Sequence, residues 1–221
     1  MTVVVLLGAP GAGKGTQAAI LTQRLGIPHV ATGDLFRAAA RDGSALGLEA
    51  RQYMERGQLV PDEITIGMLL ARLEAPDAAA GAVLDGFPRN RAQAIVLDDA
   101  LAGRASRVDV ALYVEVPIDE LVRRLSGRWV CRDGGHIYHE QSNPPRVAGQ
   151  CDHDGSPLIQ REDDRPDTIH ARLAGQLDGL AEVVDHYRGA DLLRTIDGAG
   201  SIEAVTAALS AQLADLPGGA T

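Results

Sequence analysis

Short apolar runs alternate with longer amphipathic stretches along most of the chain. Five apolar runs predict buried strands at residues 3–7, 28–31, 82–84, 108–116 and 192–196. Apolar positions at helical spacing predict helices at residues 16–25, 117–128, 167–187 and 201–216. Asp167 is the expected cap of the third helix, and residues 217–221 should fray. Strands that alternate with helices predict an α/β fold, with a five-stranded parallel sheet that binds ligands beyond its carboxyl edge.

Two segments interrupt this alternation. Residues 32–61 have a helical composition but no strand, and they look inserted between the second and third strands. Residues 127–164 are rich in Gly, Pro, Asp, His and Arg and contain both cysteines and Trp129. We therefore expect a core made of residues 1–31, 62–126 and 165–221. The first insert should be helical, and the second a small loop-and-hairpin subdomain.

The first strand runs directly into a glycine-rich stretch, GAPGAGKGT at residues 8–16. It follows the phosphate-binding pattern G-x-x-x-x-G-K-[ST], with Gly15 inserted between Lys14 and Thr16. Glycines let backbone N–H groups point at an anion, and the following helix adds the positive end of its dipole. Lys14 can reach the β and γ phosphates, and the Thr16 hydroxyl can ligate Mg²⁺. The sequence therefore predicts a site for a nucleoside triphosphate.

Two further stretches combine turns with polar side chains. In ATGDLFRA (residues 31–38), Thr32 or Asp34 could cap a helix, and Arg37 could either clamp a phosphate or remain a solvated charge. In VLDGFPRNRAQA (residues 83–94), Asp85 ends a strand, where a carboxylate can hold Mg²⁺ through water or simply form a turn. Gln93 in the same stretch can read an adenine edge.

Four arginines in the second half of the chain form a candidate anion site. Arg124 and Arg128 are spaced four residues apart, so they are predicted to share one helix face. Arg161 and Arg172 flank the start of the next long helix. These side chains could form surface ion pairs, or they could surround a phosphoryl group, which guanidinium binds in a bidentate manner.

The composition limits the classes of partner. A formal net charge of −9 over 221 residues argues against a broad nucleic-acid-binding face. No apolar stretch approaches the ~20 residues of a membrane span, and the first apolar run lacks the basic region of a signal peptide. We expect a cytoplasmic protein without membrane or nucleic-acid partners, in which both cysteines stay reduced.

The ordered set of motifs resembles the adenylate kinases of the long, bacterial type, from residue 3 to about residue 213. The matching stretches are GAPGAGKGTQ, ATGDLFRAA, GQLVPDEIT, LDGFPRN with Gln93, LSGR, HIYHEQSNPP and QREDDRPDTIHARL. The resemblance implies a P-loop kinase that transfers a phosphoryl group from ATP to AMP and gives two ADP, with Mg²⁺. It also implies a monomer, with residues 32–61 as the AMP-binding insert and residues 127–164 as the lid over ATP.

The resemblance carries site residues over to matching positions. It implies ATP contacts at Gly11, Ala12, Gly13, Lys14, Gly15, Thr16, Arg128, Ile137, Tyr138 and Gly200. It implies AMP contacts at Thr32, Arg37, Gln58, Leu59, Val60, Gly86, Phe87, Pro88, Arg89, Gln93, Arg161 and Arg172. The charges expected to act on the transferred group are Lys14, Arg89, Arg124, Arg128, Arg161 and Arg172. One departure is Trp129, where relatives often have a second Arg.

The cysteines raise the question of a metal site. Long-lid relatives often carry a zinc knuckle with four ligands, which correspond here to Cys131, Gly134, Cys151 and Asp154. Gly134 cannot serve, but His136 lies close by and would complete a Cys₂-His-Asp set. His153 is a weaker substitute. The alternatives are a metal-free lid with two buried thiols, and a disulfide between the cysteines.

Three other functions are compatible with parts of the sequence. The rivals within enzymes are kinases for other nucleoside monophosphates and a GTP-dependent AMP kinase, although a long segment at residues 127–164 argues against the short-lid pyrimidine enzymes. A nucleotide-binding switch without turnover would leave Arg37, Arg89, Arg161 and Arg172 without a purpose.

Overall fold

The structure, a computed structural model, describes residues 1–214. The predicted fraying of residues 217–221 lies outside this range. The strands are β1 (Thr2–Leu7), β2 (His29–Ala31), β3 (Gly81–Asp85), β4 (Val110–Glu115), β5 (Arg128–Cys131), β6 (Ile137–His139), β7 (Leu158–Ile159) and β8 (Leu193–Asp197). The α-helices are α1 (Lys14–Leu25), α2 (Thr32–Arg41), α3 (Ala45–Glu55), α4 (Asp62–Leu73), α5 (Arg91–Ala102), α6 (Ile118–Ser126), α7 (Pro166–Gly189) and α8 (Ile202–Ala211).

A five-stranded parallel sheet forms the centre of the protein, in the order β2-β3-β1-β4-β8. All five strands predicted from the apolar runs are present, with ends that shift by one or two residues. β1 pairs with β3 on one side and with β4 on the other, and the register places Leu6 opposite both Asp85 and Leu112. The predicted α/β fold is therefore confirmed.

Helices cover both faces of this sheet, which explains why the strands read as unbroken apolar runs. Along β1, Val4 and Leu6 face a cluster built with α1, α6, α8 and the first half of α7. Val3, Val5 and Leu7 face the opposite cluster, built with α4, α5 and the second half of α7. All five side chains are at most 2% exposed. A strand buried on both faces needs apolar side chains at every position, so its sequence shows no alternation of apolar and polar residues.

The two segments that we predict to be insertions lie between strands of this sheet. Residues 32–61 contain α2 and α3 and no strand. Residues 127–164 contain a small antiparallel sheet in the order β6-β5-β7. Within the described part of the chain, no helix is both long enough and apolar enough to cross a membrane.

Several helix ends differ from the predictions, among them ends of α6, α7 and α8. α6 ends at Ser126, so Arg128 begins β5 and does not share a helix face with Arg124. The apolar pattern runs through Gly127, but pairing of β5 with β6 and β7 sets the conformation there. α7 is capped by Arg165 and begins with Pro166, so Asp167 lies inside the first turn. α8 ends at Ala211, before the predicted residue 216.

Candidate active site with a phosphate loop and buried arginines

The phosphate loop connects β1 to α1 at the carboxyl edge of the sheet. Gly13, which precedes the helix, has a φ of 91° that favours glycine, and it leads the chain directly into the first turn. The Lys14 ammonium donates hydrogen bonds to the carbonyl oxygens of Gly8 (2.7 Å) and Ala9 (3.1 Å). Burial lowers the pKa of Lys14 to about 8, against the opposing charge of Asp85. The loop therefore presents a helix N-terminus and an ammonium to one region.

Asp85 ends β3, one strand away from this loop. One carboxylate oxygen, Oδ2, pairs with Nε2 of His29 at 3.2 Å. A Cβ atom built on Gly15 would lie 3.8 Å from the same oxygen, which shows how closely the carboxylate approaches the start of α1. Burial alone would raise the pKa of Asp85, but His29 and the Lys14 charge keep it below its ordinary value. Asp85 is therefore a carboxylate held beside the phosphate loop.

A buried carboxylate joins two of the predicted arginines. Asp164 is fully enclosed and accepts hydrogen bonds from Nε of Arg128 (2.7 Å) and from the Arg128 terminal nitrogen NH2 (2.5 Å). It also accepts one from Arg172 at 3.0 Å. Asp163 pairs with Arg172 at 3.0 Å. Arg128 from β5 and Arg172 from α7 are thus held against Asp164, and Arg172 also against Asp163.

Two other predicted arginines, Arg89 and Arg161, lie in the same charge cluster. Arg89 follows the cis Phe87-Pro88 bond and donates to the Gly86 carbonyl (2.7 Å) and to Gln176 (2.8 Å). Burial lowers the pKa of Arg89 to about 10, and repulsion from Arg172 adds to the shift. Burial, with repulsion from Arg37, lowers the pKa of Arg161 to about 9. Mutual repulsion among buried cations is the electrostatic signature of an anion site.

One cleft of about 1570 Å³ is lined by most of the predicted site residues. It runs from the phosphate loop past Arg124 and Gly200 on one side to residues 57–60 and Gln93 on the other. Thr32 and Phe87 do not line it. Thr32 is buried and donates to the Gly86 carbonyl at 2.9 Å, and Phe87 packs into the core. These two side chains therefore support the loop that follows β3 from the side away from the cleft.

The cysteines belong to a second cluster within residues 127–164, of which Cys131 and His136 also line the cleft. Ligand atoms of Cys131, His136, Cys151 and Asp154 all lie within 4.8 Å of one another. Both cysteines are free thiols. His153 is outside the ligand group, and its ring stacks on His136 with 4.2 Å between centroids.

Trp129 and Tyr138 pack against this cluster. The Trp129 indole donates a hydrogen bond to Glu140 at 3.0 Å, and Trp129 does not line the cleft. The Tyr138 hydroxyl donates to Cys151 at 3.5 Å. Trp129 therefore packs within this segment and lies outside the cleft.

Sequence reasoning missed several partner residues, among them His29, Asp62, Asp164 and Gln176. Each bonds to a predicted site residue: Asp85, Gln93, Arg128 and Arg89, respectively. The only signal available was the acidic pair Asp163 and Asp164 between two arginines, which reads equally well as a surface ion pair.

Comparisons with known proteins agree with this geometry. The adenylate kinase family model matches residues 6–192. The adenylate kinase of Moorella thermoacetica is 50% identical over 210 residues, which cover 95% of this chain and 97% of that protein. The adenylate kinase of Streptomyces griseus is 50% identical over 205 residues (92% and 94%), and that of Staphylococcus aureus 44% over 203 residues (92% and 94%). With the family model covering most of the chain, and with a phosphate loop and buried arginines on one cleft, the chain belongs to the adenylate kinase family.

Proposed function

We propose that the protein catalyses reversible transfer of the γ-phosphoryl group of ATP to AMP, which gives two ADP. The main support for this function is that one cleft contains both the phosphate loop and the residues matched to AMP contacts. Both groups face a shared set of buried cations. Two nucleotides bound at the two ends would meet at those cations. Membership of the adenylate kinase family supports the same reaction.

The donor end is assigned to the phosphate loop and to residues beside it. Residues 11–16 bind the ATP phosphates through backbone N–H groups and Lys14. Arg128, Ile137, Tyr138 and Gly200, which all line the cleft, contact the rest of ATP. Arg124 also lines it, and its Nε donates to Glu120 on the same helix at 2.7 Å.

The acceptor end is assigned to the helical insert and to the loop after β3. Gln58, Leu59 and Val60 line this end of the cleft, as does Arg37. Gly86, Pro88 and Arg89 place a guanidinium where it can hold the AMP phosphate, and Gln93 reads the base. Thr32 and Phe87 shape the loop.

Transfer itself needs positioning and positive charge. The moving phosphoryl group passes through a loose transition state with charge spread over its oxygens, and no covalent intermediate with the protein is required. Lys14, Arg89, Arg128 and Arg172 are fixed before the reaction by neighbouring carbonyls and carboxylates, so little reorganisation is needed. Water must be excluded to avoid hydrolysis, and we assign this task to residues 127–164, closing over ATP.

Mg²⁺ fits the donor end through the Thr16 hydroxyl and, through water, Asp85. Asp85 has a carboxylate oxygen beside the start of α1 and a pKa below its ordinary value, so it is ionised at neutral pH. When bound, the ion neutralises phosphate charge. His29 orients Asp85 from the other side.

The test is nucleotide-resolved product formation. Two ADP should form for each AMP consumed. AMP should be a better acceptor than CMP or UMP. ATP consumption that is equal with and without AMP would indicate an ATPase, and binding without turnover would indicate a switch. GTP offered in place of ATP decides the donor.

We also propose that residues 127–164 hold a structural Zn²⁺ ion. The four ligand atoms are of types that Zn²⁺ accepts, and a tetrahedral site needs separations of about 3.5 Å between them. The ligand atoms lie within 4.8 Å of one another, so a bound ion would draw them closer together. Burial opposes ionisation of Cys131, but hydrogen bonds from Ser156 and the Gly134 N–H lower its pKa to about 7. A thiolate is the form that binds zinc.

Gly134 makes room for the substituted ligand. A Cβ atom on Gly134 would lie 2.5 Å from Cε1 of His136 and 2.7 Å from Asp154. Any side chain at residue 134, including the cysteine common in relatives, would displace the imidazole. Glycine at 134 and histidine at 136 are therefore a matched pair, and His136 takes the fourth position.

Elemental analysis of protein purified without chelators tests this assignment. We expect about one zinc per chain in the wild type. His136→Ala should lose the metal, and its residues 127–164 should unfold at a lower temperature. His153→Ala is the matched control and should keep the metal. Metal-free wild-type protein of full stability would mean that hydrogen bonds alone hold the segment.

A further inference from the structure

The side-chain amide of Gln93 is held at both ends by the protein. Its side chain is 1% exposed, and Nε2 donates to Oδ1 of Asp62 at 2.6 Å. Its Oε1 accepts from the backbone N–H of Arg89 at 2.8 Å. We propose that Asp62 is a positioning residue that fixes the orientation of this amide and thereby selects a 6-aminopurine as the acceptor base. This inference rests on the proposed role of Gln93 in reading AMP.

Asp62 is tied into the same network by Asn90. The Asn90 amide nitrogen donates to both oxygens of Asp62, at 3.2 and 3.0 Å. The Asn90 side-chain oxygen accepts from the backbone N–H of Gln93 at 2.8 Å, as the cap of α5. The carboxylate therefore joins the start of α4 to the start of α5, and its own orientation is fixed.

The chemistry of the partners decides which end of the Gln93 amide is nitrogen. A carboxylate can only accept a hydrogen bond, and a backbone N–H can only donate one. A rotation of the amide by 180° would place N–H against N–H at Arg89 and oxygen against oxygen at Asp62. Both bonds would be lost inside a buried site, where unsatisfied polar groups are costly.

One N–H and one lone pair of the amide remain for a ligand. A primary amide has two N–H donors and two acceptor positions, and the protein uses one of each. The remaining pair suits a base that offers an amino group beside an accepting ring nitrogen, as adenine does at C6. Hypoxanthine carries a carbonyl oxygen at C6, which would oppose Oε1 of Gln93. The fixed amide thus discriminates AMP from IMP.

Asp62 also begins α4, where any carboxylate interacts favourably with the helix dipole. Glu63, the next residue, is exposed and lies in the same first turn. It shares that general role but is not part of the network. Glu63→Ala is therefore a matched control for the loss of an acidic residue at this helix end.

The experiment compares kcat/KM for AMP and IMP, with ATP as donor, in Asp62→Ala, Asp62→Asn, Glu63→Ala and Gln93→Ala. In Asp62→Ala we expect the KM for AMP to rise about tenfold, the factor that corresponds to about 1.4 kcal/mol. The preference for AMP over IMP should fall by a similar factor. The KM for ATP and kcat at saturating AMP should stay within about threefold, since the reacting groups are untouched. Asp62→Leu, similar in size and without an acceptor, replaces Asp62→Ala if that variant is unstable.

The conservative variant separates orientation from fold support. Asp62→Asn keeps one oxygen that can accept from Gln93, so it should retain most of the preference for AMP, and Glu63→Ala should match the wild type. An unchanged AMP to IMP ratio in both Asp62→Ala and Asp62→Leu overturns the inference, provided that Gln93→Ala lowers this ratio. If Gln93→Ala itself leaves the ratio unchanged, the proposed role of Gln93 fails instead, and the role of Asp62 falls with it.

Discussion

Replacement of Asp164 by asparagine removes a buried charge without changing the size of the side chain. The wild-type carboxylate is 0% exposed and accepts three hydrogen bonds from two guanidinium groups. Its Oδ1 accepts from both Arg128 and Arg172, and its Oδ2 accepts from Nε of Arg128. An asparagine oxygen in the place of Oδ1 keeps two of these bonds, and the amide nitrogen then opposes Nε–H of Arg128.

These contacts determine the expected magnitude. A hydrogen bond to a charged group contributes about 1.5–3 kcal/mol, and a neutral one about 1 kcal/mol. Asp164→Asn loses one bond and weakens two others, which together cost about 3–5 kcal/mol, the range known for breaking a buried ion pair. Because both arginines border an open cleft, water can replace part of the loss. We expect a decrease of about 3 kcal/mol in the free energy of unfolding.

Urea unfolding with and without nucleotides measures this effect. Bound phosphates supply negative charge to the same arginines, so saturating nucleotide should reduce the deficit of Asp164→Asn. We also expect kcat to fall about 10²-fold, because Arg128 and Arg172 lose their fixed orientation. Asp163→Asn is the control: Asp163 makes a single 3.0 Å side-chain contact with Arg172 and should cost about 1 kcal/mol. Unfolding of Asp164→Asn within about 0.5 kcal/mol of wild type, at normal kcat, would refute the reasoning.

Two further predictions concern α7 and the phosphate loop. A Cβ atom on Gly179 would lie 2.3 Å from the carbonyl oxygen of Arg89, so Gly179→Ala should destabilise the protein by about 1–3 kcal/mol and raise the KM for AMP. Gly175→Ala, which meets nothing within 4 Å on the same helix, should instead stabilise by up to about 1 kcal/mol, and thermal unfolding compares the two. Because the pKa of Lys14 is about 8 and only its protonated form carries charge, kcat/KM for ATP should fall above pH 8. In the ATP complex the phosphates raise this pKa, so kcat should hold to higher pH; a flat kcat/KM profile up to pH 9.5 would contradict this.

The central sheet and the phosphate loop could be predicted because their signals are local. β1 is buried on both faces, so its apolar run is unbroken, and the glycine-rich turn follows it directly along the chain. The helix ends were less predictable. Gly127, the C-cap of α6, is a helix-stop signal that the prediction passed over, and the strand that begins at Arg128 depends on pairing with β6, about ten residues away.

The partners of the site residues could not be predicted because they are distant along the chain. Asp164 is 36 residues from Arg128, and Asp62 is 31 residues from Gln93. In a chain with 30 acidic residues, local pattern gives no reason to choose these two. What distinguishes them is their surroundings in the fold: Asp164 is fully buried between two guanidinium groups, and the half-buried Asp62 accepts hydrogen bonds from the amides of Asn90 and Gln93. Only the three-dimensional fold brings Asp164 next to Arg128 and Asp62 next to Gln93.

The proposed zinc site links the residues at positions 134 and 136. The sequence indicates only that a ligand is missing at Gly134 and that His136 is near. The structure adds a steric reason, because the imidazole occupies the space next to residue 134 that a side chain there would need. Restoring cysteine at 134 while histidine remains at 136 should therefore place two ligands in one position. Glycine at 134 and histidine at 136 fit only together. Metal binding should therefore be weaker in Gly134→Cys alone or in His136→Ala alone than in the double variant, where the cysteine takes the position of the imidazole.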